Sequence, residues 1–107
     1  MKKGAPFYAC GRNDDGQLGL GDNTDRNTFT AVPPLPDGKI PKQVMLGTYH
    51  TMILTEDGTV FACGCNGNGQ LGLGNNTDRN TLTAVPPLPD GKIPKQVTHG
   101  TNHTMIL

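Results

Sequence analysis

The sequence predicts an all-β fold built from β-propeller blades, each a sheet of four antiparallel strands, with two blade-equivalents per chain. Three observations predict it. Residues 2–54 align without a gap onto residues 55–107, and 38 of these 53 positions are identical. A repeat of this period marks an array of like units and not one enclosed core. Within each unit, short β-prone runs are divided by glycine, asparagine and proline, and helical periodicity is absent from any window of about 11 residues. Four short strands recurring every ~40–55 residues describe a propeller blade.

The elements follow from local chemistry. Lys42 to Leu46 reads as a first strand, broken from the next by Gly47-Thr48-Tyr49. His50 to Thr55 and Thr59 to Cys63 are the second and third, joined by Glu56-Asp57-Gly58. A glycine closing a short connection after Asp is hairpin chemistry, because that position takes positive φ. Thr81 to Val85 is the fourth and stops at Pro86-Pro87, which cannot donate to a central ladder. By the repeat, the counterparts of the third and fourth strands are Phe7 to Cys10 and Thr28 to Val32, and those of the first and second lie within 95–107. No helix is expected.

The pattern Gly-x-x-His-Thr, then Leu-Thr-x-Asp-Gly-x-Val-Phe, then Cys-Gly-x-Asn-x-x-Gly-Gln-Leu-Gly-x-Gly runs from Gly47 to Gly74. It resembles the repeat of the regulator of chromosome condensation family, and the resemblance extends over essentially the whole chain. Members of that family usually form seven-bladed propellers, many with Trp where Cys10 and Cys63 stand here. The resemblance implies that the chain divides as residues 2–54, carrying the outer two strands of one blade and the inner two of the next, and residues 55–107, carrying the outer pair that completes that blade and a further inner pair. It also implies loops that recognise proteins. The family's best-known member is an exchange factor for a nuclear small GTPase, but with a protruding insertion and a basic tail that have no counterpart here, so exchange activity is not carried over.

This phase predicts self-assembly. The strand Phe7-Tyr8-Ala9-Cys10 and the strand His103-Thr104-Met105-Ile106-Leu107 would each expose a row of backbone donors and acceptors, which invites pairing with another chain. Head-to-tail pairing would complete a blade in trans and close a ring, as a homotrimer with six blades or a homotetramer with eight. The family's seven is unreachable with every strand used.

Composition bounds the rest. With 107 residues, 15 Gly, 9 Pro and 34% apolar residues, the chain has thin material for a closed core of its own. Nine basic and nine acidic residues are interspersed, so no footprint for nucleic acid or an anionic membrane is expected. No apolar run approaches the roughly 18 residues of a membrane span. The start, Met-Lys-Lys-Gly-Ala-Pro, is expected to be mature sequence, since its apolar stretch is shorter than a leader needs. Cys10 and Cys63, at the same repeat position, are expected to be buried small hydrophobes; with Cys65 they make an odd count that suits a reducing compartment, the cytoplasm first and the nucleus second.

Several motifs are weighed and set aside. Gly67-Asn68-Gly69-Gln70-Leu71-Gly72 satisfies a dinucleotide pattern, but no helix can open at Leu73-Gly74-Asn75-Asn76-Thr77, so turn chemistry is the better reading. Asp14-Asp15 and Asp22-Asn23-Thr24-Asp25 lack the spacing of a calcium loop. His99 and His103 with Cys63 and Cys65 offer zinc-type donors, but strand residues four apart are about 13 Å apart, so a metal or redox site between chains is only a distant alternative. His50 and His103 read as structural imidazoles bonded to a neighbouring backbone group. With no serine in the chain and acidic pairs confined to turns, no enzyme and no cofactor are expected.

The copies differ mainly at Arg12/Cys65, Asp14/Gly67, Asp15/Asn68, Met45/Thr98, Leu46/His99 and Tyr49/Asn102, most of them on one loop face. The sequence therefore points first to a structural, self-assembling propeller fragment, natural or engineered. The alternative is a protein-interaction module using Arg12, Asp14, Asp15 and Tyr49.

Overall fold

The computed structural model describes residues 7–47, 49–94, 96–99 and 104–106. Eight strands run in chain order: β1 Tyr8–Gly11, β2 Arg26–Ala31, β3 Pro41–Leu46, β4 His50–Thr55, β5 Val60–Gly64, β6 Arg79–Ala84, β7 Val97–His99 and β8 Thr104–Ile106. They form a two-stranded sheet β1-β2, a four-stranded sheet β3-β4-β5-β6 and a two-stranded sheet β7-β8, all antiparallel. The fold is all-β. Among the described residues the helical geometry is confined to single 3-10 turns at Pro36–Gly38 and Pro89–Gly91.

Proline presets φ at the first position of those turns, and the Lys39 amide closes on the Pro36 carbonyl at 3.2 Å. Strand β6 begins at Arg79, two residues before the expected Thr81, because a register shift between Ala62 and Gly64 lets the ladder continue to the pair Gly64↔Arg79. The β4-β5 hairpin has the expected chemistry. Gly58 takes φ 87°, and the Thr55 amide donates to the Thr59 carbonyl at 2.9 Å.

The inner strands of the four-stranded sheet, β4 and β5, are buried on both faces, and each face meets a different neighbour. On one side Met52, Leu54, Val60, Ala62 and Leu71 pack with Val85 and with Ile106 of β8. On the other, Leu35, Ile53 and Phe61 pack with Leu82 and with Phe7 at the head of β1. Adjacent residues of β4 thus serve opposite faces, as the alternation of a strand requires. Each such side chain contributes about 1.5–3 kcal/mol of burial.

Cys10 corrects the sequence reading. Cys63 is fully buried between β4 and β6, but Cys10, at the same repeat position, is exposed. Among the described residues β1 pairs with β2 alone, so nothing covers the edge on which Cys10 lies.

Candidate functional site

The connections β3-β4 and β5-β6 leave the central sheet at the same end, where the Cys65 amide donates to the Tyr49 carbonyl at 2.8 Å. The long loops, 12–25 and 65–78, are each built around one buried asparagine. In the second, the Asn66 Nδ2 donates to the carbonyls of Asn75 and Thr77 at 2.9 and 3.0 Å, and its Oδ1 accepts from the Leu71 amide at 3.0 Å. The Asn66 amide donates to the Asp78 Oδ1 at 2.7 Å. Asn13 repeats the pattern with Asp22, Thr24, Leu18 and Asp25. An amide side chain placed this way replaces the ladder that the loop backbone lacks. The residues of the dinucleotide-like pattern, Gly67 to Gly72, therefore lie in successive turns.

The loops also join blade to blade. A Cβ on Gly16 would lie 2.6 Å from the Asn80 Cα, so only glycine lets the first loop approach β6 so closely. The Thr51 hydroxyl donates to the Gln17 carbonyl at 2.7 Å, and Thr104 does the same to Gln70 at 2.6 Å. His50 is fully buried, with its Nε2 3.2 Å from the Thr104 Oγ1. Because the one hydroxyl hydrogen of Thr104 goes to Gln70, the His50 Nε2 is the donor. His50 is thus structural, and one of its partners is a hydroxyl of the next sheet.

Of the loop-face candidates, three come together. The Arg12 guanidinium grips both oxygens of Asp14 at 2.6 and 2.8 Å and lies over the Tyr49 ring, 5.5 Å from its centroid. The Arg12 hydrogen bond holds the Asp14 carboxyl below its ordinary range. Asp15 points elsewhere, across the seam to Cys65 and Asp78 of the second loop. Burial first, then the charges of Asp14 and Asp78, raise its pKa. Burial also pushes the Cys63 thiol up to about 12, which keeps it from acting as a nucleophile or ligand.

The candidate interface residues line two open strands. Tyr8, Ala9 and Cys10 lie on β1 with Phe7 just before it, and Tyr8 is 60% exposed. Thr104, Met105 and Ile106 form β8, and Met105 is 64% exposed. His103, Leu107 and the side chain of His99 lie outside the described residues. Sequence reasoning missed the group Asp15, Cys65 and Asp78, whose members stand 50 and 63 positions apart and meet only through blade stacking; the single available signal was that the two copies differ at Asp15 and Cys65.

The pattern described as regulator of chromosome condensation (RCC1) repeat matches residues 7–54 and 57–107. The X-linked retinitis pigmentosa GTPase regulator of Homo sapiens is 38% identical over 101 residues, which is 94% of this chain and 10% of that protein. The secretion-regulating guanine nucleotide exchange factor of Mus musculus is 46% identical over 70 residues, 65% of this chain and 15% of that protein. The chain thus spans a small part of these relatives. Among solved structures, Prp20p from Saccharomyces cerevisiae superposes with a TM-score of 0.78 at 21% identity, over 94% of this chain and 26% of that one, a likeness of fold.

Proposed function

The chain belongs to the regulator of chromosome condensation repeat family, and on that premise we propose that it is a non-catalytic propeller segment whose half-sheets complete blades by pairing β8 of one copy with β1 of the next. The observation that supports this is the β4-β5 ladder. Sheet β7-β8 occupies the repeat positions of β3-β4, and β1-β2 those of β5-β6, so β4-β5 is the pairing that the two halves would copy. Transposed by one repeat, its register sets Thr104 opposite Cys10, Met105 opposite Ala9 and Ile106 opposite Tyr8. About four backbone hydrogen bonds would contribute a few kcal/mol before any side chain is buried. Three copies would then make six blades and four would make eight. A reducing compartment suits this reading, because Cys10 would lie unoxidised at the junction.

The test is a cross-link at the predicted register. Ala9→Cys with Met105→Cys, in a chain carrying Cys10→Ser, should oxidise to covalent rings of three or four chains, matching the mass of the unmodified protein by light scattering. A folded monomer at all concentrations, with no cross-linked product, overturns the proposal.

A second reading rests on the cluster of Arg12, Asp14 and Tyr49, an exposed guanidinium over a half-buried ring that only the first copy carries. It would serve as a contact for a protein partner. Alanine at Arg12 and Tyr49 should then abolish capture of that partner, and undiminished capture ends the idea. Nucleotide exchange is not proposed, since the chain spans only 15% of the relative named for it.

A further inference from the structure

The seam between the two long loops gathers a set of donors that neither copy holds alone. Asp15 comes from the first loop, Cys65 and Asp78 from the second, and one ligand atom of each lies within 4.8 Å of the others. We propose that Asp15, Cys65 and Asp78 bind a soft divalent cation of the zinc class through one thiolate and two carboxylates.

The donor set selects the ion. Calcium and magnesium take oxygen ligands in larger number, whereas a thiolate beside carboxylates suits zinc and its softer analogue cadmium. With Zn–S near ~2.3 Å and Zn–O near ~2.0–2.2 Å, tetrahedral ligands stand about 3.5 Å apart, so closing the site asks for a movement of roughly an ångström. Asp15 and Asp78 also line a depression with Asn23, Arg79, Asn80 and Thr81, from which water would complete the shell.

Two further observations bear on it. The first is charge: among the described residues neither Asp15 nor Asp78 forms an ion pair, and Arg12, which acts on Asp15, is held by both oxygens of Asp14. The second is placement. Asp78 is fixed by the Asn66 amide on one oxygen, leaving the other for a ligand, and the Cys65 backbone is fixed by Tyr49. The Asp78 carboxylate and the backbone that carries the Cys65 thiol are thus set in position before any ion arrives.

The counterparts of Cys65, Asp15 and Asp78 in the other copy are Arg12, Asn68 and Asp25. A seam built from those residues holds a fixed cation in place of the thiolate, so it binds no metal. One ion per chain is expected.

Cadmium titrated into the Cys10→Ser chain should give sulfur-to-metal charge-transfer absorption that saturates at one ion per chain. Cys65→Ser should abolish it. Asp15→Asn, the residue that the second copy carries, should weaken binding at least about tenfold, the loss that even an indirect partner of a metal ligand can produce. Zinc should raise the melting temperature of the parent chain and leave that of Cys65→Ser unchanged. Circular dichroism checks folding, and Cys65→Arg, the residue of the first copy, replaces Cys65→Ser if that variant does not fold. Absorption that survives Cys65→Ser, an Asp15→Asn chain that binds as tightly as its parent, or no binding below millimolar cadmium would each overturn the site.

Discussion

Strands β1 and β5 carry almost the same residues, Tyr8-Ala9-Cys10-Gly11 against Phe61-Ala62-Cys63-Gly64, and their surroundings are opposite. All of β5 is buried, but β1 is open along most of its length. The side chains cannot account for this. What differs is that β5 lies between β4 and β6, whereas β1 has β2 alone among the described residues. Burial in this protein belongs to the pairing of half-sheets and not to the strand.

That contrast can be broken at matched positions. Phe61→Ala should cost about 3–5 kcal/mol by chemical denaturation, as for a buried ring, while Tyr8→Ala should cost under about 1 kcal/mol unless copies pair over β1. Equal losses in a monomeric chain would show that β1 has a core of its own. Next come Gly64→Ala and Gly11→Ala. Both glycines have positive φ, of 108° and 111°, and each substitution carries strain of roughly 1–2 kcal/mol. A Cβ at Gly64 also meets the Tyr49 carbonyl oxygen at 2.5 Å, while one at Gly11 meets nothing within 4 Å. The first should therefore be the more destabilising by about 2 kcal/mol or more, read from the shift in denaturation midpoint.

Thiol labelling sharpens the same comparison without mutation. Two thiols per native chain should react, Cys10 and Cys65, and the third should appear only in denaturant, because Cys63 is buried with its pKa raised. A fall to one thiol as concentration rises would mark the covering of Cys10 by another copy.

The smallest effects are electrostatic. Asp22, through Arg26, and Asp57, through Lys39, have pKa values below the ordinary 3.8. Their stabilisation is present above that value and is lost as pH falls through the depressed folded pKa. Asp15 has the opposite sign, since its raised pKa makes the charged form unfavourable at neutral pH. Asp15→Asn should raise the melting temperature slightly near pH 7, and a decrease would mean that its charge has a partner.

The blades were legible in the sequence because two copies agree on where glycine and proline interrupt the strands, and because Glu56-Asp57-Gly58 admits only a hairpin. Local signals of that kind survive in a linear reading. Cys10 was misread for the same reason, since its neighbours in sequence match those of Cys63 and its neighbours in space do not. The loop face was half legible: the differences between copies flagged Arg12, Asp14, Asp15 and Tyr49, but not that Asp15 turns from Arg12 toward Cys65. That choice depends on the distance between sheets, fixed by Gly16 against Asn80, which no local pattern encodes.

The hydroxyl of Thr51 on Gln17, repeated as Thr104 on Gln70, ties each blade to the one before it. The central blade receives a hydroxyl from the blade after it and offers its own to the blade before. Duplication of this stretch of gene, begun at any codon, therefore delivers a blade already fitted to both neighbours, so lineages can lengthen or shorten such arrays without evolving a new interface.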